Sequence, residues 1–299
     1  MNNAQHLHSL HRRDWLRWTA AGAMGGTAQA AAWAQALPTR QPRLISLSGG
    51  MTEVIYRLGA ERWLVATDTT SVFPEAALRT PKVGYMRTLS AEGVLSLRPT
   101  TVLGTHEVGP PAVLDQLRDA GVNLQLVRAD HTFEELLAKV AAAAQASQQA
   151  AQGQALSAEL TQQWKGLQQR IQKSPTAAPR VMFVMAHGGK AQVAGQATAA
   201  HAMLNFAGAR NALDEVGGYK SLTPEAAATA RPDVILTTPE SIHANGNAQR
   251  FWDQPGLAFT PAARHQRLVI MDTQFLLGFG PRLPAAVEAL ARQLGTIPA

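Results

Sequence analysis

From Arg43 onward, short runs of aliphatic and β-branched residues alternate with longer stretches whose apolar positions recur at helical spacing. That alternation predicts α/β layering and excludes a helical bundle or a sandwich. Residues 44–47, 64–67, 101–103 and 124–127 read as strands. Residues 53–58, 91–97 and 112–120 read as the helices between them, the last closed by Gly121, which adopts the positive φ of a helix C′ position at little cost. Residues 132–173 are rich in Ala, Gln, Leu and Glu, with no strand signal and only Gly153 and Gly166 as interruptions, and predict a long, rigid helical connection ended by Pro175 and Pro179. A second α/β set follows, with strands at 180–185, 234–237 and 268–271, a helix near 199–207 and a final helix at 284–294. The expected architecture is α/β: a lobe at 37–131, a linking helical segment at 132–173 and a lobe at 174–299, both lobes Rossmann-like, with a ligand cleft between them. A stiff connection predicts small closure.

The two lobes share a faint internal repeat. Leu89-Ser90-Ala91-Glu92 is followed by Arg98-Pro99-Thr100-Thr101-Val102, and Leu222-Thr223-Pro224-Glu225 by Arg231-Pro232-Asp233-Val234-Ile235. In both copies a hydroxyl residue stands where it caps a helix, an acid follows two positions later, and Arg-Pro precedes a strand. Glu92 and Glu225 suit the positive end of a helix dipole. Their matched register also fits a pair of surface knobs, one per lobe, for a two-subunit partner with basic pockets.

Composition narrows the chemistry. The chain of 299 residues is 46% hydrophobic and 16% charged, which supplies ordinary cores and excludes disorder. It has no cysteine, so thiolate nucleophiles, disulfides and thiolate metal sites are excluded. Residues 1–36 hold Arg12, Arg13 and Arg17 against Asp14, followed by an Ala/Gly-rich apolar run and small residues around Ala34 and Ala36. That is the pattern of a secretory signal, its arginine pair matching the twin-arginine route, with cleavage after Ala34 or Ala36 and a periplasmic destination in a Gram-negative bacterium. Without this segment, 24 basic residues face 20 acidic ones, a net charge of +4. No basic run interleaved with aromatics follows it, so a small anionic ligand is expected and nucleic acid is not.

Generic catalytic motifs are missing. Gly188-Gly189-Lys190 lacks the rest of a phosphate loop, Gly278-Phe279-Gly280 lacks the third glycine of a dinucleotide fingerprint, and neither Gly-x-Ser-x-Gly nor His-Glu-x-x-His occurs. What stands out is Gly84-Tyr85-Met86-Arg87, just before the helix that Ser90 caps, in a chain with three tyrosines. A phenolate is a hard anionic ligand suited to ferric iron, and a guanidinium two positions on, in an extended segment, lies on the same side and supports it. His187, expected just after the first strand of the second lobe, is placed to complete an axial pair across the cleft. Each of these also has a plain structural explanation: a half-buried core tyrosine, and a loop histidine bonded to backbone. His106, His131, His201, His243 and His265 carry the structural reading more strongly.

With these residues in view, the chain resembles the periplasmic haem-binding proteins of bacterial haem ABC importers, the HmuT/ShuT/BhuT group, within the wider class of vitamin B12- and siderophore-binding proteins. The resemblance runs through Thr52-Glu53, Val83-Gly84-Tyr85-Met86-Arg87, Leu89 to Leu97, His187-Gly188-Gly189, Gly218-Tyr219-Lys220-Ser221-Leu222, Ala230 to Leu236, and Leu277-Gly278-Phe279-Gly280-Pro281-Arg282-Leu283. It implies a non-enzymatic carrier of ferric haem, one or two per cleft. Tyr85 would be the axial ligand, Arg87 its hydrogen-bonding support and His187 an axial ligand from the opposite lobe. Glu92 and Glu225 would dock a monomeric carrier on an ABC permease dimer with its ATPase subunits, downstream of an outer-membrane haem receptor. The alternatives are a ferric-siderophore or cobalamin carrier of the same fold, a haem chaperone without an importer, and a secreted enzyme using Tyr85, His187 and Asp272.

Overall fold

The computed structural model describes residues 41–187 and 190–298, except the side chain of His187. The export signal expected at 1–36 and the pair Gly188-Gly189 lie outside the described residues.

The first sheet has four parallel strands, β1 (Leu44–Leu47), β2 (Leu64–Thr67), β3 (Thr101–Thr105) and β4 (Asn123–Val127), in the order β2-β1-β3-β4. All four residues of β1 are buried, as a central parallel strand covered on both faces requires. Helices α1 (Gly49–Arg57), α2 (Ala91–Leu95) and α3 (Pro111–Asp119) complete this lobe. The chain leaves β1 toward β2 and returns to its other side for β3. This reversal of strand order marks the carboxyl ends as the place where an open parallel sheet binds ligands.

The linking segment contains α4 (Phe133–Ala146) and α5 (Ala150–Gln172), separated by a turn in which Gln148 has a positive φ of 60°. Composition does not announce that break, because Ser147-Gln148-Gln149 continues the polar, helix-compatible run. Gly153 lies inside α5, where a Cβ would come within 2.5 Å of the Ala144 Cβ. The glycine thus permits α4 and α5 to pack closely.

The second sheet comprises β5 (Arg180–His187), β6 (Lys190–Ala194), β7 (Arg210–Asn211), β8 (Tyr219–Ser221), β9 (Val234–Thr237) and β10 (Leu268–Ile270). Its order is β10-β9-β5-β6-β8, with β7 beside β5; β7 and β9 run parallel to β5, β10 runs parallel to β9, and β6 and β8 are antiparallel. Around it lie α6 (Ala199–Phe206), α7 (Pro224–Ala230), α8 (Pro239–Ala244), α9 (Ala248–Phe251), α10 (Pro261–Arg264), α11 (Thr273–Leu277) and α12 (Leu283–Leu294). The first strand of this lobe runs two residues past its expected end and turns back into β6, with His187 opposite Lys190.

A single apolar cluster runs through both lobes. It joins Leu44, Met51 and Leu103 of the first lobe, Leu136 and Leu160 of the linking helices, and Val181, Phe183 and Leu204 of the second lobe. Phe133 stacks on Trp164 at 5.0 Å, and Trp164 meets Phe206 edge-on at 4.8 Å, carrying the packing from α4 through α5 to α6. Each sheet has its own cluster on the other face, around Val102 and Leu117 in the first lobe and around Met182 and Phe251 in the second.

Candidate functional site

Tyr85 and Arg87 sit between β2 and α2, and Glu107 lies two residues past the end of β3, so all three stand at the carboxyl end of the first sheet. The chain at Tyr85 is a turn, closed by the Thr88 amide donating to the Tyr85 carbonyl at 2.9 Å, and not the extended segment the sequence led us to expect. Gly84 precedes it at a φ of +99°, a conformation that side chains rarely adopt. Met86 points into the first-lobe core and anchors the turn, leaving Tyr85 half-buried and Arg87 exposed. The turn is stitched to the Glu107 loop by the Gly109 amide donating to the Met86 carbonyl at 3.0 Å and the Leu89 amide donating to the Gly109 carbonyl at 3.1 Å.

Arg87 reaches both neighbours. Its Nη1 donates to Tyr85 Oη at 2.7 Å, and its Nη2 forms a salt bridge with Glu107 Oε1. Burial opposes the Arg87 charge, but Glu107 and Tyr85 together outweigh it and raise the guanidinium above its ordinary value. Arg87 is therefore a fixed cation beside a phenol oxygen. From the second lobe, Tyr219 on β8 senses the same group. Its phenol is pushed up first by desolvation and then by the Glu107 charge, with Arg87 partly offsetting them. Neither Glu107 nor Tyr219 was singled out from the sequence; the signal for Tyr219 was its place in Gly218-Tyr219-Lys220 and the rarity of tyrosine.

The carboxyl ends of the two sheets meet at a second place. Gln274, in the first turn after β10, bonds to the backbone of Val72 and Phe73 in the loop after β2. Arg282 donates to both oxygens of the buried Glu53 of α1, at 2.8 and 2.7 Å, and lies over the Phe73 ring at 3.6 Å from its centroid. Two stretches that entered the resemblance separately, Thr52-Glu53 and Gly280-Pro281-Arg282, are thus one ion pair.

The other candidates fall as follows. His187 ends β5, with its side chain outside the described residues. His106 is exposed just past β3, His131 is half-buried against Phe279 at 5.4 Å, and His201 lies among Asn205 and Asn211. Asp272 caps α11, accepting from the Phe275 amide at 2.7 Å. Among the described residues, no group of three or more His, Asp and Glu is placed to hold a metal ion.

The repeat is real in three dimensions and reaches further than the sequence indicated. Ser90 Oγ accepts from the Gly93 amide at 3.4 Å and Thr223 Oγ1 from the Ala226 amide at 3.1 Å, with Glu92 and Glu225 exposed in the first turns of α2 and α7. Arg98 and Arg231 both adopt positive φ, 48° and 43°. Each helix end is then closed by an arginine that leads a central strand: Arg43 donates to the carbonyls of Leu97 and Arg98, and Arg180 to that of Ala230.

The family model described as periplasmic binding protein matches residues 44–275. Among solved structures, the periplasmic heme-binding protein BhuT in complex with two hemes is 43% identical, with a TM-score of 0.81 over 85% of this chain and 98% of its own. Among characterised and uncharacterised relatives, the chain is 27% identical to the ABC transporter substrate-binding lipoprotein YvrC of Bacillus subtilis, over 84% of this chain and 79% of the relative. It is 25% identical to the vitamin B12-binding protein of Pectobacterium atrosepticum, over 85% of this chain and 89% of the relative. With this match running through both α/β lobes, the chain belongs to the periplasmic binding protein family, whose members are substrate-binding proteins of ABC transport systems and not enzymes.

Proposed function

We propose that the protein binds ferric haem between its lobes in the periplasm and delivers it to an inner-membrane ABC importer. One observation carries this reading: the Tyr85 hydroxyl, at the carboxyl end of the first sheet, receives a hydrogen bond from Arg87 at 2.7 Å, and Arg87 is itself held by Glu107. A tyrosine oxygen is a hard ligand that favours Fe(III), the state suited to a carrier that should not activate oxygen. Arg87 supports the anionic oxygen that iron requires, and Glu107 keeps the guanidinium in place. His187 is proposed as an axial ligand from the second lobe, from its position at the end of β5. The structure of BhuT in complex with two hemes supports the reading of a cleft that takes one or two.

Glu92 and Glu225 are the proposed docking points for the permease dimer and its ATPase subunits, each presented on the first turn of a short capped helix. Export through the signal at 1–36, by the twin-arginine route, and supply by an outer-membrane haem receptor complete the proposed path. The relationship to a vitamin B12-binding protein favours the second reading, a corrinoid or siderophore carrier, which would have no need of Tyr85.

Hemin titration followed by absorption separates these readings. The haem reading predicts a saturable Soret change at one or two equivalents, with a charge-transfer band that Tyr85→Ala removes and His187→Ala alters. Saturable binding of cyanocobalamin or a ferric siderophore, with no saturable hemin response, selects the alternative.

A further inference from the structure

Gln274 belongs to the second lobe, yet its amide is directed entirely at the first. Its Oε1 accepts from the Val72 and Phe73 amides, both at 3.0 Å, and its Nε2 donates to Glu53 Oε1 at 2.7 Å. The side chain is only 8% exposed. The slot that it fills exists because α1 begins with glycine: a Cβ at Gly49 would lie 2.7–2.9 Å from the Gln274 side chain. Glu53 is fixed in turn by Arg282, whose guanidinium stacks over Phe73.

Val72 and Phe73 lie on the loop that runs from β2 to Tyr85. Asp68 holds the start of that loop, accepting from the Thr70 amide at 3.2 Å, the Thr70 hydroxyl at 2.6 Å and the Ser71 hydroxyl at 2.7 Å. Lys82 Nζ ties its two ends together, donating to Thr67 Oγ1 and to the Ser71 carbonyl, both at 2.7 Å. The Thr69 amide donates at 3.0 Å to the carbonyl of Gly84, the residue before Tyr85. The loop is therefore one hydrogen-bonded unit that carries the tyrosine. Val72 and Phe73 are 45% and 42% exposed, yet the amides of both are bonded to the buried glutamine of the other lobe, which gives that contact a positional role.

We propose that Gln274 is a positioning residue of the ligand site, fixing the tyrosine loop of the first lobe to the second lobe so that the bond from Tyr85 to the ligand depends on how the lobes are held. This rests on Tyr85 being the haem ligand, as proposed above. A partner that grips both lobes and separates them pulls Gln274 from the loop and loosens Tyr85, so release follows docking. The coupling runs through named hydrogen bonds, and it is measurable as a pairwise interaction.

The test uses the hemin-loaded protein, with hemin loss to excess apo-globin followed by stopped flow and the tyrosinate-to-iron charge-transfer band recorded alongside. Gln274→Met keeps the length of the side chain and removes its amide. It is expected to speed hemin loss by about tenfold and to shift the band, and to add nothing in a Tyr85→Ala background. Gly49→Ala, which displaces the amide without deleting it, should speed hemin loss in the same way and decides the matter if Gln274→Met does not fold. Unchanged hemin loss in both variants, or equal acceleration with and without Tyr85, overturns the inference alone. Retention of the band in Tyr85→Ala overturns the ligand reading and the inference with it.

Discussion

Arg87 divides its guanidinium between a phenol and a carboxylate, and that division sets the electrostatics at this end of the cleft. Because Glu107 contributes to the upward shift of Tyr219, Glu107→Gln should move the Tyr219 ionisation step downward. With only three tyrosines in the chain, a phenolate absorbance titration resolves it, and an unmoved step would separate Tyr219 from this cluster. With its folded pKa raised, Tyr219 contributes stability that is fully present below the ordinary tyrosine value of 10.0 and is lost as pH rises through the folded value. Tyr85 and Arg87 were legible in the sequence as a rare tyrosine with an arginine two positions away. The reason given for their contact was wrong in geometry: a turn brings them together, not an extended strand. Glu107 was not legible, since it lies 20 residues from Arg87 and only the pairing of β3 beside β1 delivers it.

The helices that carry Glu92 and Glu225 are short, five and seven residues, so their caps matter more than propensity. Ser90→Ala and Thr223→Ala should each cost about 1 kcal/mol in denaturant unfolding. The pair Glu92→Gln with Glu225→Gln should abolish capture by permease in nanodiscs while leaving hemin titration intact; undiminished capture would move the docking face elsewhere. In α4, Glu135 and Lys139, each 3% exposed, are paired at 2.6 Å. Lys139 also donates to the Phe279 carbonyl at 3.1 Å, and Glu135 accepts from the His131 amide at 2.8 Å. Lys139→Met strands a buried carboxylate and should destabilise by roughly 3–5 kcal/mol, whereas Glu135→Leu with Lys139→Met should recover most of the loss in the same unfolding assay. At this scale the central strands were readable to within a residue or two, because burial on both faces makes them predominantly apolar, with only Ser46 and Thr237 polar in β1 and β9. The strands β6 and β8 were not, because Lys190-Ala-Gln and Tyr219-Lys-Ser are half-exposed or exposed and carry no periodic signal.

At the scale of the molecule, the two lobes share one apolar cluster through α4, α5 and α12, and they are joined again at Glu53, Arg282 and Gln274. The helical character of residues 132–173 was legible from their Ala/Gln-rich composition, but neither the break into α4 and α5 nor the polar join was, since the members of that join are separated by 221 and 229 residues. The shared apolar cluster and the polar join predict little closure on binding. Small-angle scattering should give the same radius of gyration with and without hemin, and a marked compaction on loading would show that the shared core yields. A crystal structure of the protein loaded with hemin shows directly whether Tyr85 holds ferric haem with Arg87 in support. Iron is expected bonded to Tyr85 Oη, with Arg87 still donating to that oxygen and Glu107 still paired to Arg87. A porphyrin whose iron is held elsewhere, with Tyr85 free, would overturn the proposed ligation.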